Sequence, residues 1–275
     1  MKIIVPLLLV VASLFASGDV IAGQQPVLRE QKFNFEQIAM LAKSVERLMA
    51  KHRARVALIS RVGLNPDLLP PGVRYSHTAL AVYSKVRTHD GRIVPGYAIF
   101  NLYQGDERTG RSRLVQDYPL DYFAVSQELH AGVLIPNEGL QNALLEMLAS
   151  DRYRQLHNPN YSVIANPFNT IYQNCTEFVL DVVFGALYET TNRGALKAYI
   201  ASYFEPHPIL LPPTKIERAA RVMSDVSIDD HVGAVATTTF SSIVRFLLKY
   251  QIARNAFVVS TEPTTLYVTT KTWES

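Results

Sequence analysis

The chain is 275 residues long, with 48% apolar residues, a net charge of +3 and a single cysteine. One cysteine excludes an internal disulfide and argues against a dithiol redox protein, because no resolving cysteine exists in the chain. The basic residues are scattered, without the stripe or cluster of a nucleic-acid groove, so no nucleic-acid partner is expected.

The opening MKIIVPLLLVVASLFASGDVIAGQQ reads as a secretory signal. Lys2 supplies the positive start, and Ile3 to Phe15 form a mostly apolar run of 13 residues, too short for a comfortable transmembrane helix. Ala16-Ser17-Gly18 is one possible exit, and Val20-Ile21-Ala22 is the better one. The expected organisation is a signal peptide over 1–22 and one secreted domain over 23–275, with no transmembrane span after signal removal. About 250 residues are enough for one large core.

NFEQIAMLAKSVERLMAKH has apolar residues at helical spacing, and Asn34 and Gln37 stand at capping-box distance. RVALISRVG (55–63) reads as a strand, NPDLLPPGVRYS as a proline-rich loop, and HTALAVYSKV (77–86) as a second strand. Asp90-Gly91 signals a two-residue hairpin into a return strand over 93–105, in which Pro95 and Gly96 mark a bulge or late start. DERTGRSR reads as a loop, DYFAVS and AGVLIP as short strands, and NEGLQNALLEMLASDRY as a helix. A turn-rich stretch leads to IYQNCTEFVLDVVFGALY, then to helices over NRGALKAYIASYF, PTKIERAARVM and SSIVRFLLKYQ, and a strand at AFVVST. Helix, antiparallel strands, then helices make an α+β fold.

Cys175 follows Asn174, a cap-compatible residue, and Phe178, Val179, Val182 and Val183 continue at helical spacing. Cys175 therefore falls in a helix's first turn, where unpaired N–H groups favour a thiolate and bind an oxyanion, and a thiol ionising well below the ordinary range is expected. A lone cysteine is also, in general, a small core filler. A nucleophile needs a base, and His77 opens a strand on which it shares a face with Ala79, Ala81 and Tyr83; a hydrogen-bonded structural histidine is the other reading. Asn101 is an isolated polar residue in YAIFNLY, placed to orient the imidazole or to be an edge-strand polar residue. Tyr75 stands to line the pocket, and Gln173 and Asn174 stand to donate to an oxyanion or to cap the helix. The other histidines show no metal spacing, so neither metal nor cofactor is expected.

RYSHTALAVY, a following polar-bearing strand and YQNCTEFVLDVV resemble the circularly permuted branch of the NlpC-type papain-like hydrolases, which includes YiiX-like proteins and lecithin retinol acyltransferase. The motifs cover roughly residues 55–187, and the C-terminal third falls outside them. The whole mature chain is also similar to domain of unknown function family 2145, secreted bacterial proteins. The resemblance implies a papain-like antiparallel sheet packed on helices, with extra C-terminal helices. It assigns Cys175 as nucleophile, His77 as base and Asn101 as the third residue, where those relatives carry His, Glu or Gln. It implies a periplasmic thiol hydrolase or acyltransferase acting on an amide or ester bond of a cell-wall peptide or lipid acyl group. A non-catalytic envelope binding or structural protein on the same scaffold is the alternative.

Overall fold

The structure, a computed structural model, describes residues 31–87, 90–105 and 110–261 and the backbone of 266–267; the expected signal peptide lies outside them. Helix α1 (Phe35–Lys51) opens on the Asn34/Gln37 capping box. It is followed by β1 (Val56–Arg61), a 3-10 turn (Pro66–Leu68), β2 (His77–Arg87), β3 (Ile93–Gln104), β4 (Ser112–Asp117), α2 (Pro119–Phe123), β5 (His130–Pro136), α3 (Glu138–Leu148) and α4 (Arg152–Gln155). Then come α5 (Cys175–Leu187), α6 (Arg193–Tyr203), β6 (His207–Pro208), α7 (Pro213–Val222), β7 (Ala236–Thr237), α8 (Phe240–Lys249), β8 (Ala253–Ser260) and β9 (Leu266–Tyr267).

One antiparallel sheet in the order β4-β3-β2-β1-β5-β8-β9 carries the fold. Strand alternation divides its residues between two cores. Ala57, Ile59, Ala79, Ala81, Ala131 and Val133 face α1 and α2, and the alanines among them leave room for α1 to lie close. Leu58, Leu80, Val82, Phe100 and Leu134 face the larger core, which is built with α3, α5, α6 and α8. The chain is thus a mixed α/β protein with helices on both faces of an antiparallel sheet.

Two local readings are corrected. DYFAVS is not a strand: Pro119 stands at the first helical position, with its φ already suited to a helix, and Tyr122 and Phe123 are both buried from α2. SRLVQD forms the outermost strand, β4, where charged residues at a sheet edge mask the apolar signal. β2 and β3 pair antiparallel out to Arg87–Ile93, with Gly91 at φ +82°; residues 88 and 89, next to the expected Asp90-Gly91 turn, lie outside the described residues.

Candidate active site

Helix α5 begins at Cys175, as its first helical residue. Asn174 is the cap: its Oδ1 accepts from the N–H groups of Thr176 (3.0 Å) and Glu177 (2.9 Å), and its Nδ2 donates to Val163 O and Thr237 Oγ1. Phe178, Val179 and Val182 are fully buried against the sheet and α3. Sequence spacing therefore places Cys175 correctly in the first turn.

The sulfur sits where β2 and β3 part. Their pairing ends at Leu80–Phe100, while β3 stays paired to β4 as far as Gln104–Ser112. The Tyr83 N–H points to the β1 side, onto Arg55 O, so alternation turns the Thr78 N–H toward β3, into the split. That N–H hydrogen-bonds the Cys175 sulfur, and Ser76 O lies 3.8 Å from it. The thiol thus touches the residues on either side of His77.

His77 leans to the other face. Tyr103, its opposite number by extension of the register, stacks on its ring at 4.9 Å and 12°. Asn101, the diagonal neighbour, places Oδ1 3.0 Å from His77 Nε2. The Asn101 amide is oriented by its own donor, since Nδ2 reaches Val115 O at 3.2 Å and Asp117 Oδ2 at 3.5 Å. Oδ1 can only accept, so the network assigns the proton to Nε2 and the basic lone pair to Nδ1. His77 and Cys175 line one cavity of about 580 Å³ together with Arg61, Tyr75, Asn174 and Thr176. Asn101 is fully buried beneath it.

The α5 and β2 ends are tied by hydroxyls that sequence reasoning passed over. Thr176 Oγ1 donates to Thr78 Oγ1 (3.1 Å), which meets Ser60 Oγ (3.2 Å), which donates to His77 O (2.8 Å). Each hydroxyl gives its one proton to the next, so toward the sulfur the Thr176 hydroxyl can only accept, and the thiol proton has two acceptors at 3.8 Å, Ser76 O and Thr176 Oγ1. The available signal was a hydroxyl residue on each of two otherwise apolar strands.

Gln173 is committed to structure. Its Nε2 donates to Leu156 O and Asp181 Oδ2, and its Oε1 accepts from the Asn158 N–H. Both amides offered as oxyanion donors, Gln173 and Asn174, are thus spent on protein partners, and the capping alternative describes Asn174. The Tyr75 ring lines the cavity but packs edge-on against His130 (5.5 Å) and Phe240 (5.4 Å) in the α5-side core.

The expected low-pKa thiol is also corrected. Burial pushes the Cys175 thiol up, and the opposing help of the Thr78 and Thr176 N–H groups and the Arg61 charge does not cancel it.

Behind the site, Lys197 of α6 is buried and donates to Glu177 Oε1 (2.7 Å) and Asp181 Oδ1 (2.7 Å). Burial, opposed by Lys197 and aided by Asp181, pushes the Glu177 carboxyl up to about 8. Among the described residues no group of three or more His, Cys, Asp or Glu side chains is placed to hold a metal, and no helix is long and apolar enough to cross a membrane.

No curated protein matches the chain, and no solved structure does. One family model matches residues 48–247, and it is described as an uncharacterized protein conserved in bacteria (DUF2145). That span runs from the end of α1 into α8 and contains Arg61, His77, Asn101 and Cys175; the chain belongs to the DUF2145 family.

Proposed function

We propose that the protein is a secreted, periplasmic thiol hydrolase or acyltransferase that cleaves an amide or ester bond through Cys175, His77 and Asn101. The observation that carries this reading is the Asn101 Oδ1 contact to His77 Nε2, which leaves the basic nitrogen to a ring lining the same cavity as a cysteine at a helix N-terminus. The order of parts supports the resemblance to permuted NlpC-type papain-like hydrolases: a histidine strand, a polar residue on the next strand, and the cysteine helix last.

His77 Nδ1 takes the thiol proton as the sulfur attacks the carbonyl carbon. The resulting oxyanion is held by the backbone N–H of Cys175 at the start of α5. His77 returns the proton to the leaving amine or alcohol, and a thioester remains on Cys175. Water then gives the free acid, or an alcohol or amine acceptor gives acyl transfer. The raised thiol pKa makes this a base-assisted attack rather than one by a preformed thiolate. Cell-wall peptides and lipid acyl groups are the substrate classes proposed.

A p-nitrophenyl ester tests the reading. The purified protein should release a burst of nitrophenolate and gain one acyl mass on Cys175. His77→Ala should slow acylation by about 10²- to 10⁴-fold. The 6% exposure of Cys175 and its raised pKa favour the second reading, a non-catalytic binding protein with Cys175 as core. That reading takes over if the folded wild type gives neither burst nor adduct.

A further inference from the structure

The chain carries the same four residues twice, Leu68-Leu69-Pro70-Pro71 in the β1–β2 loop and Leu210-Leu211-Pro212-Pro213 leading into α7. Tertiary structure brings the two together. His207, just ahead of the second segment, donates from Nε2 to Pro71 O at 3.1 Å, and its ring packs on Gly72. Both segments are extended, with Leu69 at φ −79°, ψ 142° and Pro212 at φ −54°, ψ 137°, and their prolines stiffen them. The first leucine of each nonetheless stands in solvent: Leu68 is 74% exposed and Leu210 64%.

These segments form two lips of the cavity that holds Cys175. Leu68, Leu69 and Pro70 line it from one loop, Leu211 lines it from the other, and α7 continues the second lip. The wall as a whole is mixed, with Thr237, Thr238 and Thr239 buried in it and Asp225 half-buried. Its exposed part differs: among the described residues it consists of Leu68, Lys215, Val222, Met223 and Ser224. Val222 is 73% exposed and Met223 48%, both at the end of α7. Helix α7 also sorts its charges. Lys215, Arg218 and Val222 follow at i, i+3 and i+7 down one side, next to the cavity-lining Ile216, Ala219 and Met223. Its one carboxylate, Glu217, lies on the other side, 3.9 Å from Arg221. Single exposed apolar residues are ordinary, but four on the lips of one mouth make a patch. Apolar side chains held out beside cations match the boundary of an anionic bilayer, where hydrocarbon lies just beneath phosphate. Asp67, exposed on the first lip, opposes this attraction without outweighing the two cations.

We propose that the mouth of the cavity docks on an anionic phospholipid bilayer. Leu68, Leu210, Val222 and Met223 enter the headgroup–acyl boundary, and Lys215 and Arg218 pair with lipid phosphates. The docking itself needs no thiol chemistry. Joined to the acyl-transfer reading, on which this further step rests, it selects lipid acyl groups over cell-wall peptides as the substrate class.

Vesicle sedimentation tests the docking, with protein purified without the expected signal peptide and vesicles of phosphatidylcholine alone or mixed with phosphatidylglycerol. The protein should partition about tenfold or more better onto the anionic vesicles, and high salt should weaken that preference. Leu68→Asp combined with Leu210→Asp should lower the partition by about tenfold or more. Lys215→Glu combined with Arg218→Glu should remove the preference for anionic vesicles. All four positions are exposed, and circular dichroism checks that the variants fold. Phe35→Asp, at an equally exposed site on α1 across the sheet, should bind as the wild type does, and so should Cys175→Ser. A wild type that stays off both vesicles overturns the proposal, as does a leucine variant that binds undiminished or a loss of binding in Phe35→Asp. Light scattering covers the rival occupant: a wild-type dimer that the leucine variant breaks, without vesicle binding, gives the patch to a second copy and overturns the proposal too. A protein that docks yet never acylates Cys175 keeps this surface and loses the catalytic reading.

Discussion

His77 belongs by alternation to the α1/α2 side of the sheet and Cys175 to the α5 side, and both line one cavity beside the split between β2 and β3. Tyr103 and Asn101 fix the imidazole on one side, while the Thr78 N–H and Ser76 O meet the thiol on the other. Asn101→Ala should therefore lower turnover by less than His77→Ala, whose loss is about 10²- to 10⁴-fold, because the amide only orients a base that still reacts. Its ester-cleavage pH profile should also shift, which loss of a merely structural contact would not produce. Burial raises the Cys175 pKa, so the thiol is protonated below its folded value and ionises as pH rises through it. Iodoacetamide should accordingly label the folded protein slowly at pH 6, with a midpoint above the ordinary ~8.5 of a free thiol. A midpoint below that value would show that His77 already holds the thiol proton at rest.

The first turn of α5 is locked to β2 by the Thr176–Thr78–Ser60 hydroxyl chain. Thr78→Val keeps the strand-compatible shape but strands the other hydroxyls, at a cost of about 1–3 kcal/mol. It should also lower the acylation rate, read as kcat against KM, because the thiol loses its fixed register beside His77. One turn further on, Glu177 and Asp181 share Lys197. Removing that cation leaves Asp181 buried beside Glu177 without its ion-pair partner, so Lys197→Met should cost about 3–5 kcal/mol in urea unfolding. The sign of the pH effect follows from Glu177, whose folded pKa is raised by burial from 4.5 to about 8. Its stabilising contribution is complete below pH 4.5 and is lost as pH rises through 8. Tm should fall across that window, and Glu177→Gln should flatten the slope.

At the scale of the molecule, the C-terminal elements complete the cavity and clamp the sheet. Ile209, Ile216 and Met223 form one wall of the cavity, opposite the β1–β2 loop. Helix α8 crosses the sheet so closely that a Cβ on Gly132 of β5 would collide with the buried Phe240 ring. Gly132→Ala should therefore destabilise by about 1–3 kcal/mol through overpacking. If thermal unfolding leaves Tm unchanged, the α8–β5 approach is looser than described here.

Local pattern was enough to determine much of this protein. Apolar spacing set α1, α5, α6 and α7, the alternation in HTALAVY put His77 with Ala79 and Ala81, and Asn174 before an apolar run put Cys175 at a helix start. These depend on period and capping, which neighbours in sequence encode. Tertiary structure alone decided the rest. Whether Gln173 and Asn174 donate to a ligand depends on which carbonyls and carboxylates surround them, and the chain brings those from Leu156, Val163 and Asp181. Lys197 lies in a helix that the spacing predicts, but only the docking of α6 on α5 buries it between two carboxylates. Arg61 ends a strand that the sequence predicts, but its burial follows from Tyr103 and Tyr122, which close over it. The thiol's pKa likewise follows its depth rather than its place in the helix, because desolvation is a property of everything packed around a group.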